Sequence, residues 1–300
     1  MSAVWVGPTA PPELLQAVTE GGGQLVDAGA AQAFVWYGGS VEQLRDLLHP
    51  GVHWVQLPAA GVERWVEAGV VDRQRTWTSA AGCYAPAVAE HALSLVLAAA
   101  KQLPELARAT TWTRPAPRAL SGATVGIVGA GGIGRELIRM LAPFGCRVLA
   151  VTRSGRSVPG ATLTAAPDGL HDVLRESDYV VVAAPATAQT AALIGKRELE
   201  LMKDDAWLVN VARGALVDTE ALAAALAAGR IGGAALDVTD PEPLPDGHPL
   251  WSEPRALVTP HSANPPSVLL PALVGRVRDN VERFAAGQRL TGVVDLDRGY

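Results

Sequence analysis

Short runs of buried-type residues alternate along the chain with stretches of helical period. Residues 3–7 (AVWVG), 24–27, 33–37 and 52–57 read as strands, and 77–79 as a last short one. Between them, Pro12 can open a helix carrying Leu14, Leu15 and Val18. Gly38, Gly39 and Ser40 turn into another with Leu44, Leu47 and Leu48 on one side. This alternation predicts a small parallel α/β unit over about 1–85. From 85 to about 109 a long helical pattern follows, with Val88, His91, Leu95, Leu97 and Ala98 spaced for burial and Pro104 expected to kink or interrupt it. Residues 110–121 form a polar connection containing prolines. Repeated strand–loop–helix units then run from 124 to 261. Their strands fall at 124–128, 146–151, 179–183, 206–211, 232–237 and 256–258, and their helices at 196–202 and from Glu220, with Thr219 as cap. A final helix spans about 268–286, and 290–295 (LTGVVD) can return as an edge strand. The pattern predicts an α/β fold of two Rossmann-like open parallel-sheet domains.

Composition narrows the class. Three hundred residues suit two domains, and an apolar share of 49% supports sizeable cores. A net charge of −5 gives no general attraction to nucleic acid or anionic membrane. Two cysteines make no disulfide framework and read as reduced thiols. No secretory n-region and h-region open the chain, and the apolar stretch 92–100 is too short to span a bilayer, so a cytoplasmic protein is expected.

The densest motif is Gly129, Gly131 and Gly134, a GxGxxG at the turn from a buried strand into an amphipathic helix. The first glycine permits the turn, the second lets the backbone approach a pyrophosphate, and the third lets helix and strand pack closely. Loop 58–61 (PAAG) reads equally as backbone free to meet an anion or as a plain strand-to-helix turn. Arg213, Glu242 and His261 each stand just past a strand, where an open α/β sheet gathers its ligands. An arginine fork matches a carboxylate, and an imidazole held by a carboxylate can move a proton near neutral pH. These are the parts needed to reduce a 2-keto acid. A surface arginine, a proline-rich turn acid and a loop histidine remain the bland reading. His91 and Glu90 lie on the long helix, where a structural role is the commoner one. No His/Cys/carboxylate cluster has metal-ligand spacing, and His49, His53, His171 and His248 need no catalytic role.

Read together, the stretches 55–63 (VQLPAAGVE), 87–93 (AVAEHAL), 126–145, 184–194 (APATAQTAALI), 208–222 (LVNVARGALVDTEAL), 235–251 (ALDVTDPEPLPDGHPLW), 259–264 (TPHSAN) and 295–300 (DLDRGY) resemble the D-isomer-specific 2-hydroxyacid dehydrogenases, in order and over nearly the whole chain. The resemblance implies a substrate domain from 1–90 plus 270–300, a dinucleotide-binding domain at 91–269, an active-site cleft between them, and a homodimer using the 86–108 region. It implies Arg213 as the substrate-binding arginine, Glu242 as partner acid and His261 as acid/base, with the backbone of Ala59, Ala60 and Gly61 on the substrate carboxylate. Gly129, Gly131, Gly132, Ile133, Gly134, Pro185, Thr190, Ala212 and Ala263 become candidate cofactor contacts, and Asp237 the partner of the nicotinamide carboxamide. Glu242 argues against formate dehydrogenase chemistry, where glutamine stands. Thr239 replaces the family's usual aromatic residue, and Asn264 its usual small one. A dinucleotide-sensing corepressor is the alternative to an enzyme.

Cofactor choice rests on the end of the second strand of the 124–152 unit. An NAD-specific site usually places a carboxylate there for the ribose hydroxyl. Here Thr152 is followed by Arg153, Ser154, Gly155 and Arg156, and no acid follows until Asp168. Arginine can fork onto a 2′-phosphate, which a carboxylate would repel. NADP(H) is therefore expected to be preferred, with NAD(H) possible. The pattern is similar to that of NADPH-using glyoxylate/hydroxypyruvate reductases of the family. Arg153 and Arg156 as solvated loop charges is the other reading.

Overall fold

A computed structural model describes every residue except Thr113, Pro115, Gly299 and Tyr300, and Pro266 by its backbone alone. The last two residues of the DLDRGY stretch thus lie outside the described residues. The chain divides into two compact units, Met1–Tyr84 with Pro265–Tyr300, and Ala85–Asn264.

The first unit carries β1 (Ala3–Pro8), α1 (Pro12–Glu20), β2 (Gln24–Leu25), β3 (Ala33–Tyr37), α2 (Val41–Leu47), β4 (Trp54–Gln56), α3 (Glu63–Glu67) and β5 (Thr76–Thr78). Its strands pair in parallel in the order β2-β1-β3-β4-β5. Sequence signals acted locally as expected. Pro12 sits in the first turn of α1. Ser40 caps α2 through a capping box, its hydroxyl accepting from the Gln43 N–H at 3.2 Å while its own N–H donates to the Gln43 side chain at 3.0 Å. Trp36, Trp54, Trp65 and Trp77 fill the core of this unit with Phe34, Leu44 and Leu57.

The second unit carries α4 (Ala85–Ala100), α5 (Leu103–Arg108), β6 (Thr124–Val128), α6 (Gly132–Leu141), β7 (Arg147–Val151), β8 (Leu163–Ala165), α7 (Leu170–Glu176), β9 (Tyr179–Val182), α8 (Lys196–Leu201), β10 (Trp207–Asn210), α9 (Thr219–Ala227), β11 (Gly233–Leu236), α10 (Pro249–Ser252) and β12 (Ala256–Val258). Its seven strands are all parallel, in the order β12-β11-β10-β9-β6-β7-β8. The order reverses between β6 and β9, which is the switch point of a doubly wound sheet. β6, β9, β10 and β11 are buried along their whole length, which explains their unbroken apolar runs. α11 (Pro266–Ala285) returns to the first unit and packs on α1. No helix among the described residues is long and apolar enough to cross a membrane.

Several local expectations are corrected. The long helical pattern is interrupted near Pro104 as expected, but the break itself falls at Gln102, which adopts a left-handed φ of 54°, with Pro104 in the first turn of α5. The buried face of α4 is Ala85, Val88, Ala89, Ala92, Leu95, Val96, Ala99 and Ala100, leaving Leu97 and Ala98 half-buried. Alanines at helical spacing let α4 press against α6, β10 and β11, so the small residues rather than the larger Leu97 define the buried face. Asp218, not Thr219, caps α9, its carboxylate accepting from the Ala221 N–H at 3.0 Å. Residues 290–295 form no strand, and Val293 makes a single antiparallel bridge to Thr78. β8 and α7 follow the 153–160 loop without a strong periodic signal of their own.

Candidate active site

In the second unit every strand runs the same way, so the carboxyl ends of β12, β11, β10, β9 and β6 lie side by side on one edge. That edge collects the glycine turn after β6, Pro185 and Thr190 after β9, Ala212 and Arg213 after β10, Asp237 and Glu242 after β11, and His261 and Ala263 after β12. Thr152 and the 153–156 loop leave the same edge after β7.

The three glycines differ physically. Gly129 has φ +100°, and a Cβ there would lie 2.5 Å from the Ala184 nitrogen. A Cβ on Gly134 would lie 2.4 Å from the Gly129 carbonyl oxygen, so α6 packs on the turn only through a bare Cα. At Gly131 a Cβ meets nothing within 4 Å, which leaves a backbone-lined opening at the N-terminus of the ten-residue α6. Exposed N–H groups and the helix dipole there suit a pyrophosphate. At the end of β7 the Thr152 hydroxyl is buried with no hydrogen-bond partner among the described residues, a polar atom left over beside the exposed Arg153, Ser154 and Arg156. The Arg156 N–H donates to the Ser154 hydroxyl at 3.3 Å, curling the loop. These residues fit a dinucleotide. Past β9, the Thr190 hydroxyl donates to the Pro185 carbonyl at 2.8 Å and closes that loop.

Arg213 is set by Asn210, the fully buried last residue of β10. The Asn210 amide donates to the Arg213 carbonyl at 2.9 Å and accepts from the Ala212 N–H at 3.1 Å. Gly214 then lets this turn touch the Thr239 backbone, where a Cβ would overlap the carbonyl at 1.9 Å. The Arg213 Nη1 donates to the Ala212 carbonyl at 2.7 Å, leaving the fork half-buried at the strand end.

Glu242 Oε1 and His261 Nδ1 lie 2.7 Å apart, and both side chains are about half exposed. A carboxylate can only accept, so Nδ1 carries the proton and Nε2 is left to exchange one with a ligand. His261 adopts φ +49°, and its N–H is shared between the Asp237 and Thr259 carbonyls at 2.8 and 3.0 Å. Left-handed non-glycine residues are costly and persist where surroundings over-determine them.

Asp237 is buried. Its Oδ1 accepts from the Thr259 hydroxyl at 2.6 Å and the Ser262 N–H at 2.8 Å, and its Oδ2 from the Ala263 N–H at 3.1 Å. His91 Nε2 stands 3.3 Å from Oδ1 and 3.1 Å from the Thr259 hydroxyl. Burial pushes the Asp237 carboxyl up, but the bonds from His91, Thr259, Ser262 and Ala263 outweigh it and hold it down at about 2. From the sequence, a structural role is the commoner one for His91. Its link to Asp237 spans strands and helices far apart in the chain, and the only local hint was a histidine beside the half-buried stripe of an apolar helix.

Ala59, Ala60 and Gly61 follow β4 in the first unit. The Tyr84 hydroxyl donates to the Pro58 carbonyl at 2.7 Å, and the Ala80 N–H to the Ala59 carbonyl at 2.9 Å. None of the three N–H groups donates to a protein acceptor among the described residues. Thr239 is buried and its hydroxyl donates to the Pro241 carbonyl at 2.9 Å, and the Asn264 side-chain oxygen is buried without a partner among the described residues. Trp112, by contrast with the core residues Trp36, Trp54 and Trp65, is 95% exposed.

A doubly wound parallel sheet with a glycine turn at its switch point, and an arginine, a glutamate and a histidine on the same edge, defines a dinucleotide-dependent oxidoreductase. Residues 93–263 match the D-isomer specific 2-hydroxyacid dehydrogenase, NAD binding domain. The chain belongs to that family, whose members carry out NAD(P)H-dependent 2-keto acid reduction, and a corepressor role is not favoured. It is 41% identical over 302 residues to a Corynebacterium melassecola protein described as an uncharacterized protein in the proB 3′ region, covering 96% of this chain and 97% of that one. It is 37% identical over 223 residues to the glyoxylate reductase of Aeropyrum pernix, covering 70% of this chain and 67% of that one. A D-isomer specific 2-hydroxyacid dehydrogenase of Xanthobacter autotrophicus Py2, crystallised with NADPH and MES, superposes with a TM-score of 0.88 at 27% identity, covering 100% of this chain and 99% of that one.

Proposed function

We propose that the chain reduces a small 2-keto acid of the glyoxylate type to the D-2-hydroxy acid, with NADPH preferred over NADH. The observation that carries this reading is the 2.7 Å bond between His261 Nδ1 and Glu242, on the sheet edge that also carries Arg213 and the glycine turn. Arg213 anchors the substrate carboxylate and polarises the keto oxygen, and the backbone of Ala59, Ala60 and Gly61 supplies further donors to that carboxylate. Bound reduced nicotinamide supplies the hydride that goes to the keto carbon. His261 Nε2 gives its proton to the keto oxygen, and Glu242 holds the ring and balances the charge that passes through it. Gly129, Gly131, Gly132, Ile133 and Gly134 hold the pyrophosphate. Pro185, Thr190, Ala212, Asp237 and Ala263 line the nicotinamide side, and Thr152, Arg153, Ser154 and Arg156 take the adenosine ribose and its 2′-phosphate. The assembly is a cytoplasmic homodimer in this reading, and sedimentation of a monomer at micromolar concentration would refute the dimer.

The test is steady-state reduction of glyoxylate and hydroxypyruvate by the parent and by His261→Ala. The variant is expected to lose roughly 10²-fold or more in turnover while retaining NADPH binding. Near-parental turnover would overturn the assignment.

A further inference from the structure

The turn that carries His261 hangs on one residue. Thr259, Ser262 and Ala263 all donate to the Asp237 carboxylate, and the His261 N–H donates to the Asp237 carbonyl. Asp237 is therefore the mould of residues 259–263, and its side chain is 1% exposed. Among the described residues, only His91 reaches that carboxylate from outside the turn, through Nε2 at 3.3 Å from Oδ1. Protons can be counted here. The Thr259 hydroxyl has one hydrogen, and at 2.6 Å it belongs to the acceptor-only carboxylate. Towards His91 the Thr259 oxygen can then only accept, so Nε2 of His91 carries the hydrogen and shares it between Thr259 and Asp237. His91 stands on α4, whose buried face packs on α6, β10 and β11, so the donor is fixed to the sheet independently of the turn.

We infer that His91 is a positioning residue for His261, holding the Asp237–Thr259 pair so that the 259–263 turn keeps His261 in its left-handed conformation and aimed from Glu242. The inference rests on the reading of His261 as the proton donor. Without the Nε2–H, Oδ1 loses its donor from α4 and the Thr259 oxygen loses the donor it accepts from. The φ +49° of His261 is then no longer over-determined, and the ring relaxes away from its aim.

The experiment compares His91→Leu, His91→Gln and Thr259→Val with His261→Ala in the intact enzyme. It measures kcat on a keto acid, the solvent deuterium isotope effect on kcat, and the NADPH dissociation constant by fluorescence. Leucine removes the donor, glutamine restores an amide N–H near Nε2, and valine removes the hydroxyl isosterically. His91→Leu and Thr259→Val are expected to lower kcat about tenfold or more, since small misplacements of a reacting group are expensive. They should raise the solvent isotope effect as proton donation becomes limiting, and leave the NADPH constant within about threefold. His91→Gln should recover most of the loss. Thr259→Val carries the test alone if His91→Leu fails to fold. A kcat within about threefold of the parent in both variants, or a loss confined to NADPH binding, overturns the inference. Full activity in His261→Ala would instead overturn the functional reading on which it rests.

Discussion

Replacing Gly131 by alanine separates binding from folding at the glycine turn. A Cβ at this position meets no protein atom within 4 Å, and the φ of −76° is one that alanine adopts. Gly131 is the N-cap of α6, where alanine and glycine differ modestly, so global stability should stay within about 1 kcal/mol of the parent. The methyl group instead projects into the opening where a pyrophosphate would approach the N–H groups of α6. Displacing the phosphates far enough to break one charge-assisted hydrogen bond removes about 1.5–3 kcal/mol. Since each 1.4 kcal/mol is tenfold, the NADPH dissociation constant should rise roughly 10- to 150-fold. Fluorescence titration reads the affinity, and thermal unfolding without cofactor reads the stability. Gly134→Ala is the internal contrast. Its Cβ would stand 2.4 Å from a backbone carbonyl, so it should lower Tm measurably before any effect on binding is considered. An unchanged NADPH affinity in a well-folded Gly131→Ala protein would refute the placement of the pyrophosphate.

Arg213→Ala should chiefly impair carboxylate substrates, and unchanged discrimination between a keto acid and the matching ketone would remove its proposed role. The kcat/KM ratio of NADPH to NADH should exceed one in the parent and fall by about several-fold or more in Arg153→Ala; a parent that prefers NADH defeats the cofactor reading. Asp237 is held down from 3.8 to about 2, so its ionised form favours the folded state. That contribution, about 2 kcal/mol, is fully present above pH 4 or so and is lost as the pH falls towards 2. In acid unfolding, the stability gap between the parent and Asp237→Asn should therefore narrow across that window, and a gap independent of pH would show that the carboxylate charge contributes nothing.

The sequence alone determined most of the local structure and the chemistry on offer. Apolar runs long enough for strands buried on both faces, such as 179–182 and 207–210, have few alternatives once short helical repeats separate them. Gly129 and Gly134 announce a turn that larger residues could not make, and Arg213, Glu242 and His261 stand out because each follows a strand in a pattern of parallel crossovers. Less was legible where one signal could be met in two ways. Asp218 and Thr219 are both good caps, and only the path of the preceding turn selects Asp218. The buried face of α4 depends on how closely its alanines approach α6, β10 and β11, which periodicity weighted by residue size does not show. The tertiary structure alone decided the contacts made across long stretches of chain. The Glu242–His261 bond joins the ends of two neighbouring strands, and His91 meets Asp237 only because α4 packs on β10 and β11. Hydrogen bonds of this kind depend on strand order and on distances of a few ångströms, and neither is written into the spacing of residues along the chain.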